Sequence, residues 1–303
     1  MTAVGLVKGE DRFTNVLQAL VNAGDEVKRK IRGKVLIKVN TVVGHGSLAD
    51  TQPEALRAVL EFLKPLKTSR VWVGESSANP NPMEIFRQGG FLALQEKYPV
   101  EFVDFNALGF DEIELLSIEK PPLPAPISRA TKEYDCLISL SVPKAHSDAV
   151  VTLSGKNMMG FLAGGQEWRI HGVREFGRDD NLVACTHTIH KNLRRLLKVV
   201  RPDVAVLDGF HSFEGGTVPQ CARGDMVEPK IAIAGADFVA VDTVAATVLG
   251  FNPQDVGYLV YSAEDGYGTN DLSHIKIVGA TIAEARFPLK PAPRIEYLVD
   301  WRD

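Results

Sequence analysis

Cysteine is scarce in this chain. Its 303 residues hold three, Cys136, Cys185 and Cys221, far apart and without a C-x-x-C pair. Spacing therefore supports neither a disulfide framework nor a zinc ribbon, and a reducing, cytoplasmic setting is expected. A C-x-x-C-x-x-C run is absent as well, so an iron–sulfur cluster held by this chain's own cysteines is not expected. Charge of one sign is also lacking. There are 34 basic and 38 acidic residues, a net charge of −4, so no nucleic acid held by a global positive field is expected as a partner. Long uncharged apolar runs are missing too. The most apolar stretch, Ile231–Phe251, carries Asp237 and Asp242 in its middle, and each would cost about 2.5–3.5 kcal/mol in a bilayer. A buried strand followed by a core helix is expected there, and no membrane partner. Met1–Phe13 has no basic stretch followed by a long apolar run, so it does not read as a secretory signal.

What is present is an alternation of two periods. Val4–Val7, Val35–Val39, Arg70–Val73 and Val100–Val103 read as strands. Phe13–Ile31, Thr51–Lys64 and Met83–Tyr98 read as helices, the last interrupted at Gly89-Gly90. Thr51 and Glu54 have the spacing of a capping box, with Pro53 in the first turn. This rhythm predicts an α/β fold: a mostly parallel or mixed sheet flanked by helices. Pro121, Pro122, Pro124 and Pro126 crowd the stretch 120–126, which reads as a linker or edge excursion. One domain over 1–303 is expected, with lobes 1–119 and 127–285 meeting at that linker. Ile113–Ile118 and Pro126–Ala130 read as short antiparallel additions, and Asp135–Leu140 as an apolar strand.

From Pro143 to Asp180 the chain reads as a long functional loop. The rhythm then resumes with helix Leu182–Val200, strands Val204–Leu207 and Ile231–Ala234, and helices Phe238–Leu249 and Val256–Ala263. A last strand, Ile275–Val278, precedes a peripheral tail, Pro288–Asp303. On the wheel of Leu182–Val200, Ile189, Leu193 and Leu196 share the buried face and His190 falls at its border.

Polar groups recur where predicted strands end: Lys38 and Asn40, Glu75 and Ser76, Lys144 and His146, Asp208, and Asp237. In open parallel sheets, ligands bind in the crevice beyond those ends. Ser154-Gly155-Lys156-Asn157 is not a Walker A loop, because Val150 stands where glycine is required and Asn157 replaces the Ser/Thr. Its lysine and amide still suit an anionic group. Asp208-Gly209 to Glu214-Gly215-Gly216 reads as a strand end and a glycine turn carrying an acid. Five of the seven histidines lie between His146 and His211. His146, His171, Asp208, His211 and Glu214 could supply nitrogen and oxygen to a divalent metal, although no H-x-x-x-H signature is present. Asp237 also has the place of a helix N-cap, and Asp242, inside an apolar helix, needs a buried partner.

Together these pieces resemble the domain of unknown function 362 family along nearly the whole chain. They are Ile37-Lys38-Val39-Asn40, Thr51-Gln52-Pro53-Glu54, Val142-Pro143-Lys144-Ala145-His146 and Ser154-Gly155-Lys156-Asn157-Met158-Met159-Gly160. Asp208-Gly209 with Glu214-Gly215, and Ala236 to Asp242, complete the set. Many similar proteins carry an appended ferredoxin-like iron–sulfur segment, from which this chain departs. The family also looks distantly like lactate-racemase-type proteins that use a nickel-pincer nucleotide. The residues and the resemblance lead to one expectation: an enzyme for a small anionic metabolite, with a metal or pincer-type cofactor as a candidate. Lys144 and Lys156 would hold carboxylate or phosphate, and His146 and His171 would be acid/base groups or ligands. Lys38, Asn40, Glu75, Asn157, Asp208, Glu214 and Asp237 would line the ligand site. The alternative is a redox-linked accessory or ligand-binding protein working with a separate iron–sulfur partner.

Overall fold

Strand-forming runs and amphipathic helices assemble here into three layers. The computed structural model describes residues 1–42, 44, 47–76, 81–119, 121–174, 182–215 and 224–302. The strands of the first half are β1 (Thr2–Lys8), β2 (Gly33–Lys38), β3 (Thr68–Glu75), β4 (Glu101–Asp104), β5 (Phe110–Leu115), β6 (Leu123–Ser128) and β7 (Cys136–Ser141). Those of the second are β8 (Lys144–His146), β9 (Val150–Thr152), β10 (Val204–Gly209), β11 (Ser212–Glu214), β12 (Asp225–Val227), β13 (Ile231–Gly235) and β14 (Ile275–Gly279). The helices are α1 (Arg12–Asn22), α2 (Asp25–Lys30), α3 (Pro53–Leu63), α4 (Pro82–Gln88), α5 (Ser154–Asn157), α6 (Leu182–Val199), α7 (Phe238–Val248), α8 (Gly257–Glu264), α9 (Ile282–Ala285) and α10 (Ile295–Leu298).

The main sheet has the order β14-β1-β13-β10-β7-β2-β3-β4. Neighbours run parallel except around β13, which is antiparallel to both β1 and β10. The expected mostly parallel or mixed α/β sheet is thus the observed one. Strands from 1–119 and from 127–285 are interleaved in it. Alternate side chains face opposite layers. Val35, Ile37, Ile138, Leu140, Val204 and Val206 pack on α1 and α3 through Val16, Leu20, Leu56 and Val59. Leu36, Leu137, Ala205 and Leu207 share the other core with Leu193 and Leu196 of α6 and Val241 and Val244 of α7. Each such side chain, fully buried, contributes about 1.5–3 kcal/mol.

Several local expectations change. The single helix Phe13–Ile31 is two helices, because Gly24 adopts φ 78°, a conformation that ends α1. The capping box at Thr51 does not form: Gln52 is the N-cap and makes no side-chain cap bond. The Thr51 hydroxyl instead accepts from Asn40 N at 2.8 Å and donates to the Leu140 carbonyl at 3.0 Å. The interruption at Gly89-Gly90 is present, with Gly90 left-handed. Pro124 and Pro126 lie inside β6, in a two-stranded ribbon with β5, where proline's missing N–H is tolerated. The expected loop after Pro143 is instead built of β8, β9, α5 and the 3-10 turns Met158–Phe161 and Glu167–His171. The tail is not wholly peripheral: α10 is followed by Trp301, 2% exposed, which packs on a fully buried His190.

Because β2, β3, β7 and β10 are parallel, their carboxyl ends share one edge of the sheet. β13 runs the other way, so its end, and Asp237 beyond it, lies at the opposite edge.

Candidate functional site

The parallel strand ends bring five of the sequence-selected residues into one buried network. Lys38 lies 2.6 Å from Glu75 Oε1 as an ion pair, and its ammonium also donates to Val39 O at 2.7 Å and to Asn157 Oδ1 at 3.4 Å. Three donors thus meet three acceptors. Burial lowers the Lys38 pKa, and Glu75 opposes that shift. Asn157 spends its whole amide here. Its Nδ2 donates to Lys38 O and Ser139 Oγ, both at 3.1 Å, and its Oδ1 accepts from Lys38 and from Asn40 Nδ2. Lys144, on β8, donates to Asn40 Oδ1 and Ala49 O, each at 2.6 Å. Gly160 crosses the Lys38–Glu75 pair so closely that a methyl there would overlap both charged groups.

α5 carries Lys156 and Asn157, and four residues do not hold a helix by themselves. Asp242 of α7 supplies the anchor. Its carboxylate accepts from Ser154 N (3.0 Å), Ser154 Oγ (2.5 Å), Gly155 N (2.9 Å) and Tyr258 OH (3.0 Å). Burial pushes this carboxyl up to about 6, against the pull of its four donors. The partner expected for Asp242 is therefore the start of α5.

The second group is a pair of imidazoles. His146 ends β8, and its Nδ1 accepts from Asp148 N at 3.0 Å and Ala149 N at 3.2 Å. Two N–H groups aimed at Nδ1 fix the tautomer with hydrogen on Nε2. That Nε2 is buried and has no partner among the described residues. Burial first, then the Lys156 ammonium, hold the His146 pKa well below the usual imidazole value, so the ring is neutral. His171 stacks on it, with centroids 6.1 Å apart and planes 20° from parallel. Its Nδ1 lies 2.7 Å from Asp148 Oδ2. Burial would raise the Asp148 pKa, but the His171 contact outweighs it and holds the carboxyl well below its ordinary range. A carboxylate at Nδ1 turns the other ring nitrogen outward, which suits proton transfer. Asp148 was missed by sequence reading, although it stands two residues from His146.

Three sequence-selected residues are not brought to these groups. Asp208 is buried at the β10 end, with Oδ2 3.1 Å from Arg12 Nε, and Arg12 also contacts His211 Nδ1. Burial raises the Asp208 pKa and Arg12 opposes it. Glu214 accepts from Lys290 N at 2.8 Å and ties down the tail. Asp237 N-caps α7 by accepting from Ala240 N at 3.0 Å, and also takes Thr269 N at 3.0 Å. The five-residue metal set thus divides among separate places. Among the described residues no three His, Cys, Asp or Glu side chains converge on a metal position. With Nδ1 accepting from two N–H groups, His146 carries hydrogen on Nε2 and has no lone pair there to offer a metal. Gly216 and Cys221 lie outside the described residues.

The family model described as a domain of unknown function, DUF362, matches residues 35–247. This chain belongs to the DUF362 family. The match takes in the buried network, α5, both imidazoles and Asp242. A curated relative, a thylakoid-associated protein of Synechocystis sp., is 26% identical over 293 residues, covering 95% of this chain and 80% of its own. Among solved structures, the lactate racemase apoprotein from Thermoanaerobacterium thermosaccharolyticum aligns with a TM-score of 0.50 at 14% identity. That alignment covers 78% of this DUF362 chain and 54% of the racemase, so the chain spans about half the racemase's length. The likeness is one of fold. Among the described residues no helix is long and apolar enough to cross a membrane.

Proposed function

We propose that this DUF362 protein is an enzyme acting on a small anionic metabolite, a carboxylate or phosphate, held beside His146 and His171. The observation that carries the reading is the buried His146 Nε2–H without a partner among the described residues. An unmet buried donor costs about 1–3 kcal/mol, so an oxygen acceptor is favoured there. The nearby Lys156 ammonium, felt in the His146 pKa, favours an acceptor that carries negative charge. His171 complements it. With Asp148 on Nδ1–H, its Nε2 takes a proton from the bound molecule, while neutral His146 holds the oxygen. Asn157 and the Lys38–Glu75 pair act behind these groups as scaffold. Among the described residues no donor set suits a metal held by protein ligands alone, while a metal brought by an organic cofactor would need only His171. Such a group would supply Lewis-acid polarisation.

The test is calorimetric and thermal-shift titration with a panel of small carboxylates, phosphates and neutral analogues, followed by product analysis. Anions should bind in preference to their neutral analogues. His146→Ala and Lys156→Ala, folded as wild type, should lose that binding. If both variants bind every ligand as wild type does, the site is wrongly assigned. Binding without any product would make the protein a ligand-binding one.

A further inference from the structure

Glu167 opens the 3-10 turn that ends at His171, and its surroundings are unusual for a carboxylate. The Ser76 hydroxyl has one proton to give. Three oxygens surround it: Gly160 O at 2.5 Å, Leu162 O at 3.0 Å and Glu167 Oε1 at 3.3 Å. If Glu167 were ionised, all three would be pure acceptors competing for that proton. If Glu167 carries a proton, its O–H donates to Ser76 Oγ and the serine proton goes to the Gly160 carbonyl.

The charges nearby favour the second arrangement. Glu75 is already provided for as a carboxylate, accepting from Lys38 Nζ at 2.6 Å, Ser76 N at 2.9 Å and Thr41 N at 3.2 Å. The single Lys38 ammonium neutralises that one carboxylate. A second carboxylate alongside would meet like charge. On Glu167's own turn, Arg169 reaches away to the Pro124 carbonyl and His171 pairs with Asp148. From α6, the neutral Asn192 meets the turn at Ile170 O. Burial, with Glu75 adding to it, pushes the Glu167 carboxyl up to about 7.

We propose that Glu167 is a positioning residue that works as a neutral carboxylic acid, fastening the turn that carries His171 to Ser76 at the end of β3. Release of the proton to solvent breaks that fastening and frees the turn. The geometry stands without the proposed function; only the consequence for His171 rests on it.

The test compares wild type, Glu167→Gln and Glu167→Ala by urea midpoint across pH. A carboxyl whose folded pKa is raised gives stability that is full below its ordinary value of 4.5 and lost as pH rises through about 7. The wild-type midpoint should therefore step down over that window. Glu167→Gln stays neutral and its amide still donates to Ser76, so its midpoint should fall less, keeping only the share that the raised carboxyl of Asp242 gives to both proteins. Glu167→Ala should sit low throughout. A second readout is the infrared carbonyl band of protonated carboxyls at pH 6 or so, which Asp242 gives in both proteins and which should be weaker in Glu167→Gln by the Glu167 share. A pH step of the same size in wild type and Glu167→Gln, or a protonated-carboxyl band of the same intensity in both, would overturn the assignment. Neither readout uses a ligand, so loss of anion binding in His146→Ala would leave the function standing even if Glu167 proved ionised.

Discussion

Replacing Asp242 with alanine tests how α5 is held. The carboxylate receives four donors. Of these, the Ser154 hydroxyl can rotate to another acceptor, but Ser154 N, Gly155 N and Tyr258 OH would be left buried. Each stranded donor costs about 1–3 kcal/mol, so simple addition reaches roughly 3–9 kcal/mol. Relief of the burial that pushes Asp242 up to about 6 works in the other direction. That shift from 3.8 amounts to about 3 kcal/mol at most. From the middle of that range the stranded donors win, and a net loss of about 3 kcal/mol is expected. In a chain of 303 residues that lowers Tm by roughly 5 °C. Asp242→Asn should lose only about 1–2 kcal/mol. Its oxygen still serves Ser154 and its amide can donate to the Tyr258 oxygen, while Gly155 N and the phenolic proton lose their acceptor and the buried charge is removed. Urea denaturation at pH 7, followed by circular dichroism, gives the energies. Hydrogen exchange at Gly155 to Asn157 reports the local loosening. An Asp242→Ala protein within about 1 kcal/mol of wild type, or an asparagine variant as damaged as the alanine one, would refute this account of α5.

Two further outcomes follow from buried charge. Lys38→Met should destabilise by about 3–5 kcal/mol, because Glu75 is left as an uncompensated buried charge. Lys38→Met with Glu75→Leu should recover most of that, and a denaturant double-mutant cycle with additive losses would contradict the pairing. His190, fully buried with its Nδ1 accepting from Tyr258 N, has its pKa lowered by burial to about 3. Its neutral form stabilises the fold above about pH 6.5, and that contribution is lost as pH falls toward 3. His190→Gln should therefore flatten the acid-side loss by up to about 1.4 kcal/mol per pH unit. Equal slopes in urea midpoints at mildly acid pH would rule this out.

The sheet was largely legible because its strands are apolar runs too short for helices, and the crevice rule then named Lys38, Asn40, Glu75 and Lys144 together. Strand direction was not legible. Ile231-Ala232-Ile233-Ala234 reads the same whether parallel or antiparallel, yet its direction sends Asp237 to the far edge. Thr51 shows a different limit. A T-x-x-E pattern offers a local partner, but Asn40 and Leu140, brought close only by the fold, took the hydroxyl. Asp208 and Glu214 were claimed in the same way by Arg12 and by the backbone of Lys290. Glu167 gave no signal at all, since its character comes from Ser76 and Glu75, which lie some ninety residues earlier.

The placement of β1 has a consequence for how the protein is made. Its neighbours are β13 and β14, so Lys8 pairs with Ile231 and waits for 223 residues (231 − 8) to be added. At roughly 5–20 residues per second, that is a delay of about 11–45 s. Throughout it, the apolar strand Thr2–Lys8 lacks both its partners, while β2, β3, β4 and β7 can already pair with one another. For that interval the nascent chain carries an exposed sticky segment, the kind of sequence that chaperones shield during synthesis.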